Sequence, residues 1–435
     1  MKNRASDSQS HGPTRRAMLA GLGAAVLAPG MASAGTIEIG PPVSTATFLD
    51  MIGVQTHMSY RDTAYADRDR VIGALRALGI DSVRDRVPSG LGLDATKYLA
   101  QRGIKFTVTV RAGQSPRDVL ETLYDIRRSV PNAVEAVEGY NEINHGPVTF
   151  NGLTGAKGGA AGQAAIFAAV KGDPVFGKLP VYNLTGIDMV KDPDVPWDSL
   201  KGYADYANFH VYPQNGRQPG LWINARMAGG YSIPGDYPKV ITEFGYFTLP
   251  KPNVSGFIGV DEPTQSKGLI NGLFDAAKAG VKRVFIYELL DEKPDPQMKL
   301  REQHFGLFRN DFTPKPAAGA LMALRSILGP SNSRAAPAKG VAFTATSEAG
   351  DVRALTLQNA QGQSFLALWR EPPFWDRAKG LPITVTPVSV DIQLNERRRL
   401  ESFSPATDGD RATVLATTDR GNIAVRDTVV IVRAR

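Results

Sequence analysis

Between about Phe48 and Leu328 the sequence alternates short runs of β-branched and aromatic residues with longer Ala- and Leu-rich stretches. Such alternation favours parallel strands covered by helices, because a parallel crossover needs a dozen or more residues and a helix supplies them. Eight runs can be counted: Ile52–Thr56, Ser82–Val87, Lys105–Val110, Val134–Asn141, Val181–Thr185, Tyr206–Tyr212, Lys239–Phe244 and Arg283–Leu289. Eight βα units close a barrel, so the expected fold class is α/β, a (β/α)8 TIM barrel.

Local signals agree with this count. Asp67 to Leu78 reads as an amphipathic helix with Val71, Leu75 and Leu78 on one face and Gly79 as its stop. Ser115 and Pro116 read as the cap and first turn of a second helix, whose buried stripe is Val119, Leu120, Leu123 and Ile126. The segment Gly152 to Gly162 is rich in glycine and reads as a loop after the fourth strand, unless it packs tightly on substrate or on a helix.

After Pro330 the helical pattern stops. Ser331 to Pro337 reads as a linker, and beyond it come about seven short strand-like runs: Val341–Thr346, Val352–Leu357, Ser364–Trp369, Ile383–Pro387, Ser389–Leu394, Thr413–Thr417 and Thr428–Val432. They predict a small all-β sandwich over 338–435, following a catalytic barrel over 35–330. Trp369 and Trp375 are either carbohydrate platforms on that sandwich or part of its packing against the barrel.

The first 34 residues read as an export signal. Arg15-Arg16 precedes an apolar Ala/Gly run that ends in Ala32-Ser33-Ala34, a small-residue cleavage site. The arginine pair points to a Tat-type signal peptide rather than a plain secretory leader, and hence to a periplasmic or extracellular protein. Pro29, the glycines and the shortness of the run argue against a retained span, and no later segment reads as an integral membrane span.

The sequence contains no cysteine, which removes disulfides, thiolate nucleophiles and Cys-based metal sites together. Of the formal charge of +7, the leader accounts for three through Lys2, Arg4, Arg15 and Arg16 against Asp7. The remaining +4 is too mild to imply nucleic acid, and Arg397-Arg398-Arg399 reads as a solvated strand end or turn.

Barrel enzymes carry reactive groups at the C-terminal ends of their strands. Two acids stand there: Glu142, beside Asn141 after the fourth strand, and Glu243, which interrupts the otherwise apolar seventh. An unpaired carboxylate in a buried strand is costly, so Glu243 asks for a reason. Two such glutamates could divide the work of glycosidic cleavage, one protonating the leaving oxygen and one meeting the oxocarbenium-like transition state.

The Asn141-Glu142 and Thr242-Glu243-Phe244-Gly245 endings resemble glycoside hydrolase clan A. Supporting matches are Gly53 to His57, Val83-Arg84, His210-Val211-Tyr212, His304 to Leu307 and Thr313 to Pro316. The chain looks most like family-39-like members, in which a β-sandwich follows the barrel. It departs from the clan at Tyr140 and Ile143, where Trp and Pro are frequent, and at Tyr287, where Trp is. The resemblance implies a retaining glycosidase without metal or organic cofactor, with Glu142 as acid/base and Glu243 as nucleophile. It also implies that Arg84 and Tyr212 contact the nucleophile, and that the partner is a carbohydrate.

His57 and His210 are expected at the same mouth, where a neutral imidazole can donate to a sugar hydroxyl; Tyr140, Tyr246 and Tyr287 are candidate stacking walls. Glu288, Asp291 and Glu292 read as an outward-facing acidic cluster. The implied activity is hydrolysis of β-linked polysaccharide or oligosaccharide by double displacement. Transglycosylation at the same site, a non-catalytic polysaccharide-binding barrel and a metal-dependent hydrolase remain as alternatives, the last weakened by the absence of any His-x-His pair. Oligomeric state and sugar identity are open.

Overall fold

A computed structural model describes residues 34–186, 200–228, 233, 235–250, 258–329 and 340–435. The leader up to residue 33 and the expected linker, Ser331 to Pro337, lie outside the described residues.

Eight parallel strands form one sheet: β1 (Ile52–Gln55), β2 (Ser82–Arg86), β3 (Lys105–Val110), β4 (Val134–Tyr140), β5 (Val181–Tyr182), β6 (Ala207–Val211), β7 (Lys239–Phe244) and β8 (Arg283–Ile286). Their order is β6-β7-β8-β1-β2-β3-β4-β5, and a parallel bridge from Tyr182 to Tyr206 brings β5 back to β6. The strands are almost wholly buried because helices pack outside and side chains fill the inside, which is why they read as near-continuous apolar runs.

Helices follow seven of the eight strands among the described residues: α1 (Arg68–Leu78), α2 (Leu91–Ala100), α3 (Pro116–Ser129), α4 (Gly155–Gly172), α5 (Gly220–Met227), α6 (Glu262–Lys278) and α7 (Pro316–Leu328). Asp67 caps α1 through Arg70 N–H, and Gly79 ends it at φ 62°. At α3, Ser115 and Asp118 form a reciprocal capping box with Pro116 in the first turn.

The glycine-rich stretch differs from expectation. From Gly155 it is the first part of α4, not a loop. Its glycines are spacers: a Cβ on Gly158 would come 2.3 Å from the Val148 carbonyl oxygen, and one on Gly162 would come 2.5 Å from the Tyr140 ring. Close approach to β4 outweighs the low helix propensity of glycine.

The C-terminal strands are β9 (Phe343–Ser347), β10 (Arg353–Gln358), β11 (Ser364–Trp369), β12 (Val388–Phe403), β13 (Thr413–Val425) and β14 (Val430–Ala434). Two expected short strands are parts of one long hairpin, β12 with β13, and Ile383–Pro387 is not a strand. Arg397-Arg398-Arg399 lies within β12 rather than at its end or in a turn, exposed on a stretch where the ladder is irregular.

Two N-terminal pieces complete the sheet. Gly35–Thr36 pairs antiparallel with β9, and Val43–Ser44 pairs parallel with β10. The expected barrel start at residue 35 therefore shifts, because the chain laces the C-terminal sheet before the short helix Thr45–Asp50 leads into β1.

Alternate residues of the central strands serve two cores. Leu355, Leu357, Phe365, Ala367, Trp369 and Ile431 join the core shared with the barrel. Ala354, Leu366, Leu368 and Val432 face a second, smaller core. Both Trp369 and Trp375 are buried, Trp369 donating from Nε1 to Asp275 of α6 at 3.1 Å. They pack against the barrel, which leaves neither as an exposed sugar platform.

Candidate active site

A cavity of about 550 Å³ opens at the C-terminal ends of the strands. His57, Arg84, Asn141, Glu142, Tyr212, Glu243 and Tyr287 all line it. His210 stands just behind, in contact with both glutamates.

Arg84, on β2, is 2% exposed and organises the lumen. Its Nε and Nη2 donate to Glu138 at 2.6 and 2.9 Å, Nη1 to Glu243 Oε1 at 2.6 Å and to Gln55 at 2.8 Å, and Nη2 also to Asn141 Oδ1 at 2.7 Å. The guanidinium suits this position because its planar array of donors serves several fixed acceptors at once. With its oxygen occupied, the Asn141 amide has its NH2 free to donate.

Glu138 was not foreseen. It is fully buried on β4 and also accepts from Asn208 at 3.1 Å and Thr242 at 3.0 Å. Burial raises its carboxyl, but the Arg84 charge, the nearby His210 and the Arg84 hydrogen bonds outweigh that and hold it at about 2. The clue available in sequence was the one used for Glu243: an acid inside an apolar strand.

The register of β7 explains the placement of Glu243. Phe209 is paired with Ile241 but His210 with Glu243, so β7 carries one extra residue there. That bulge lets Thr242 reach Glu138 while its neighbour Glu243 also faces the lumen, contrary to regular strand alternation. Tyr212 Oη donates to Glu243 Oε2 at 2.5 Å.

Glu142 lies one residue beyond Asn141 in a tight turn, with φ 43°, a left-handed conformation that costs a non-glycine residue about 1–3 kcal/mol. The turn is held to the chain after β5 by Glu142 N–H to Thr185 Oγ1 at 3.1 Å and Ile143 N–H to the Thr185 carbonyl at 3.1 Å. One oxygen each of Glu142 and Glu243, and a His210 nitrogen, lie within 4.8 Å of one another.

His210 differs from the expected neutral imidazole. Burial lowers its pKa, but the Glu243 charge, the nearby Glu138 carboxylate at 3.9 Å and the hydrogen bond to Glu142 lift it to about 9. Its Nδ1 is 2.9 Å from Glu142 Oε1 and 3.4 Å from Glu243 Oε2, so at neutral pH it is an imidazolium between acids. Burial would raise Glu142, yet the His210 hydrogen bond and charge hold it below the ordinary carboxylate range.

His57 is the opposite case: burial, then the charges of Arg86 and Arg84, push it well below 6.5, and it stays neutral. Neither ring nitrogen has a hydrogen-bond partner among the described residues. Its ring stacks on Tyr60 at 4.7 Å and meets Tyr287 edge-on at 5.7 Å. Tyr246 and Tyr287 form cavity wall, whereas Tyr140 does not: its ring packs at Gly162 and its hydroxyl donates to the Gln114 carbonyl at 3.0 Å.

The acids after β8 are also corrected. Glu288 is fully buried and accepts from Tyr65 Oη at 2.8 Å, and burial raises its carboxyl well above the usual range. Asp291 is buried against Lys315 at 2.8 Å. Among the described residues two groups bring three potential metal donors within 4.8 Å: His57 with Glu288 and Glu292, and Glu142 with His210 and Glu243. In the second, the protonated His210 and the Arg84 fork already supply the positive charge that the acids face.

No protein-family model and no curated protein matches the chain. Solved structures share its fold. A family 39 glycoside hydrolase from Bacteroides cellulosilyticus WH2 superposes with a TM-score of 0.59 at 13% identity, over 91% of this chain and 83% of the other. A family 39 enzyme from Xanthomonas axonopodis pv. citri gives 0.56 at 12% identity, over 93% and 98%. A monomeric β-xylosidase from Caulobacter crescentus CB15 gives 0.55 at 14%, over 91% and 97%. Barrel and C-terminal sheet both fall within these superpositions.

Proposed function

We propose that this protein is a retaining glycoside hydrolase acting on a β-linked polysaccharide or oligosaccharide. The observation that carries the reading is the approach of Glu142 and Glu243, with carboxylate oxygens within 4.8 Å at the barrel mouth. Retaining pairs stand about 5–5.5 Å apart, and inverting pairs, which must admit a water between them, about 6.5–9.5 Å. The family 39 and β-xylosidase neighbours have the same two-part architecture, which agrees with this reading.

The two acids are differently prepared. Arg84 and Tyr212 donate to separate oxygens of Glu243, orienting it as the nucleophile. Glu142 faces His210 Nδ1–H at 2.9 Å, so the proton for the leaving group resides on the Glu142–His210 pair. Glu243 attacks the anomeric carbon as Glu142 protonates the departing oxygen. Glu142, now a carboxylate, takes a proton from water, whose oxygen displaces Glu243 and restores the starting configuration. The Asn141 amide offers a further polar contact to sugar hydroxyls.

The arginine pair and small-residue cleavage site of the first 34 residues support export to the periplasm or beyond by a Tat-type route. Residues 1–34 fused to a reporter that functions only when exported folded should send it across the membrane, and Arg15→Lys with Arg16→Lys should block this.

Glu243→Gln should lower turnover by about a thousandfold or more while preserving the fold. Azide should rescue both Glu243→Ala and Glu142→Ala on an activated aryl glycoside, yielding glycosyl azides of opposite anomeric configuration. Unchanged turnover in Glu243→Gln, or inverted configuration in the first product of the native protein, overturns the reading.

A further inference from the structure

The proposed hydrolytic pair leaves part of the cavity unused. Four arginines line it, Arg84, Arg86, Arg111 and Arg301, along with three glutamates. Arg84 is bound by Glu138 and Glu243, and Arg301 pairs with Glu302 at 2.9 Å. Arg86 and Arg111 have no carboxylate within salt-bridge distance among the described residues.

The fold places these two cations at the ends of neighbouring strands, near enough for the charge of one to act on the other. Arg86 ends β2 opposite Thr109 of β3, and Arg111 follows β3 two residues beyond Thr109. Arg86 Nη2 donates to the Tyr60 hydroxyl at 2.5 Å, and the guanidinium lies 4.5 Å from the Tyr60 ring centroid. Tyr60 in turn stacks on His57, so the position of Arg86 is set by ring contacts rather than by an acid. The hydroxyl accepts from Arg86 and keeps its own proton for a further acceptor.

The nearby acids do not fill the gap. Asp85 turns inward, accepting from Thr56 at 2.8 Å, from Met58 N–H at 2.9 Å and from Arg86 N–H at 2.8 Å. Glu292 is near enough for the Arg86 charge to act on it but forms no pair with it. Two adjacent guanidinium groups repel each other, and Arg111 is held below its usual pKa first by desolvation and then by Arg86. A bound anion relieves that repulsion, and a planar carboxylate matches the forked donors of arginine.

We propose that Arg86, Arg111 and the Tyr60 hydroxyl form an anion subsite that takes the carboxylate of a uronic acid unit, making the substrate an acidic glycan. This rests on the glycosidase reading and narrows its substrate class. Neutral sugars offer these groups only hydroxyls, whereas a carboxylate offers two charged acceptors that suit both guanidinium groups.

The test is a hydrolysis screen with matched glycans: uronate-containing polysaccharides and oligosaccharides, the same chains after chemical reduction of their carboxyls to alcohols, and sulfated neutral chains. The native protein should cleave an acidic chain roughly tenfold or more faster, in kcat/KM, than its reduced counterpart. Arg111→Gln, at an exposed position, should collapse that ratio, and Arg111→Lys should restore part of it. The preference should also weaken as ionic strength rises. Equal cleavage of acidic and reduced chains overturns the subsite while leaving the glycosidase reading intact. Preference for sulfated chains overturns the carboxylate assignment. Failure to cleave any member overturns the glycosidase reading and this proposal with it.

Discussion

Glu142 and His210 hold one proton between them, and the pH behaviour of the site depends on where it goes. His210 keeps its proton up to about 9, because Glu243, Glu138 and Glu142 together outweigh its burial. Above that pH the pair loses the proton that leaving-group departure requires, so kcat/KM should fall through an alkaline limb near pH 9. In His210→Asn the limb should move to lower pH, since Glu142 alone then holds the proton with only the pKa of a buried carboxyl. A limb that stays near pH 9 in the variant refutes proton storage on this pair. Linkage has the same sign: His210 is raised above its ordinary 6.5, so its stabilising contribution is complete below about 6.5 and vanishes as pH rises through about 9. Glu142 and Glu243 were legible because acids ending apolar strands need a reason to be there. Glu138 follows the same rule, but which strand acid meets substrate and which meets Arg84 depends on register, and the β7 bulge is invisible in composition.

At the scale of elements, the barrel strands were readable because each is bounded by turn residues and buried on both faces. The glycine-rich start of α4 was not, since glycine signals both a loop and a close helix contact, and only the partner decides. The two cases make opposite predictions. At Gly162 a Cβ would meet the Tyr140 ring at 2.5 Å, and overpacking of this kind costs about 1–3 kcal/mol. That exceeds the gain in helix propensity of about 1 kcal/mol, so Gly162→Ala should destabilise the protein. It should also lower activity, because Tyr140 stands two residues before Glu142. At Gly73, within α1, a Cβ meets nothing within 4 Å, and Gly73→Ala should stabilise by about 0.4–1 kcal/mol. Chemical denaturation of both variants checks the pair, and a stabilising Gly162→Ala would show that α4 can move away from β4.

For the whole molecule, the C-terminal sheet shares its core with the barrel, and this was only partly legible. Alternation announced the strands but not which face meets the helices, nor that residues 35–44 would be drawn into their sheet. Trp369 is the anchor of that contact: fully buried, 5.9 Å from the Phe274 ring and hydrogen-bonded to Asp275. Arg353 lies between Asp275 and Glu371, at 2.5 and 2.7 Å, and Glu371 accepts from Gly220 N–H at 2.9 Å. An apolar contact on this scale predicts that barrel and sheet unfold together in one transition. Trp369→Ala should cost about 3–5 kcal/mol, and Trp369→Phe, which keeps most of the packing and leaves Arg353 on Asp275 but removes one hydrogen bond, about 1 kcal/mol. The same contact should weaken with alkali. Burial, and then the Asp275 charge, raise Glu371 to about 9 from an ordinary 4.5, so its contribution is complete below about 4.5 and is lost progressively as pH rises towards 9. Glu371→Gln keeps an acceptor for Gly220 and removes the titration, so its melting temperature should decline less than that of the native protein between pH 5 and 9. Parallel declines in the two proteins would mean that Glu371 is already ionised at the interface, with Arg353 carrying both acids.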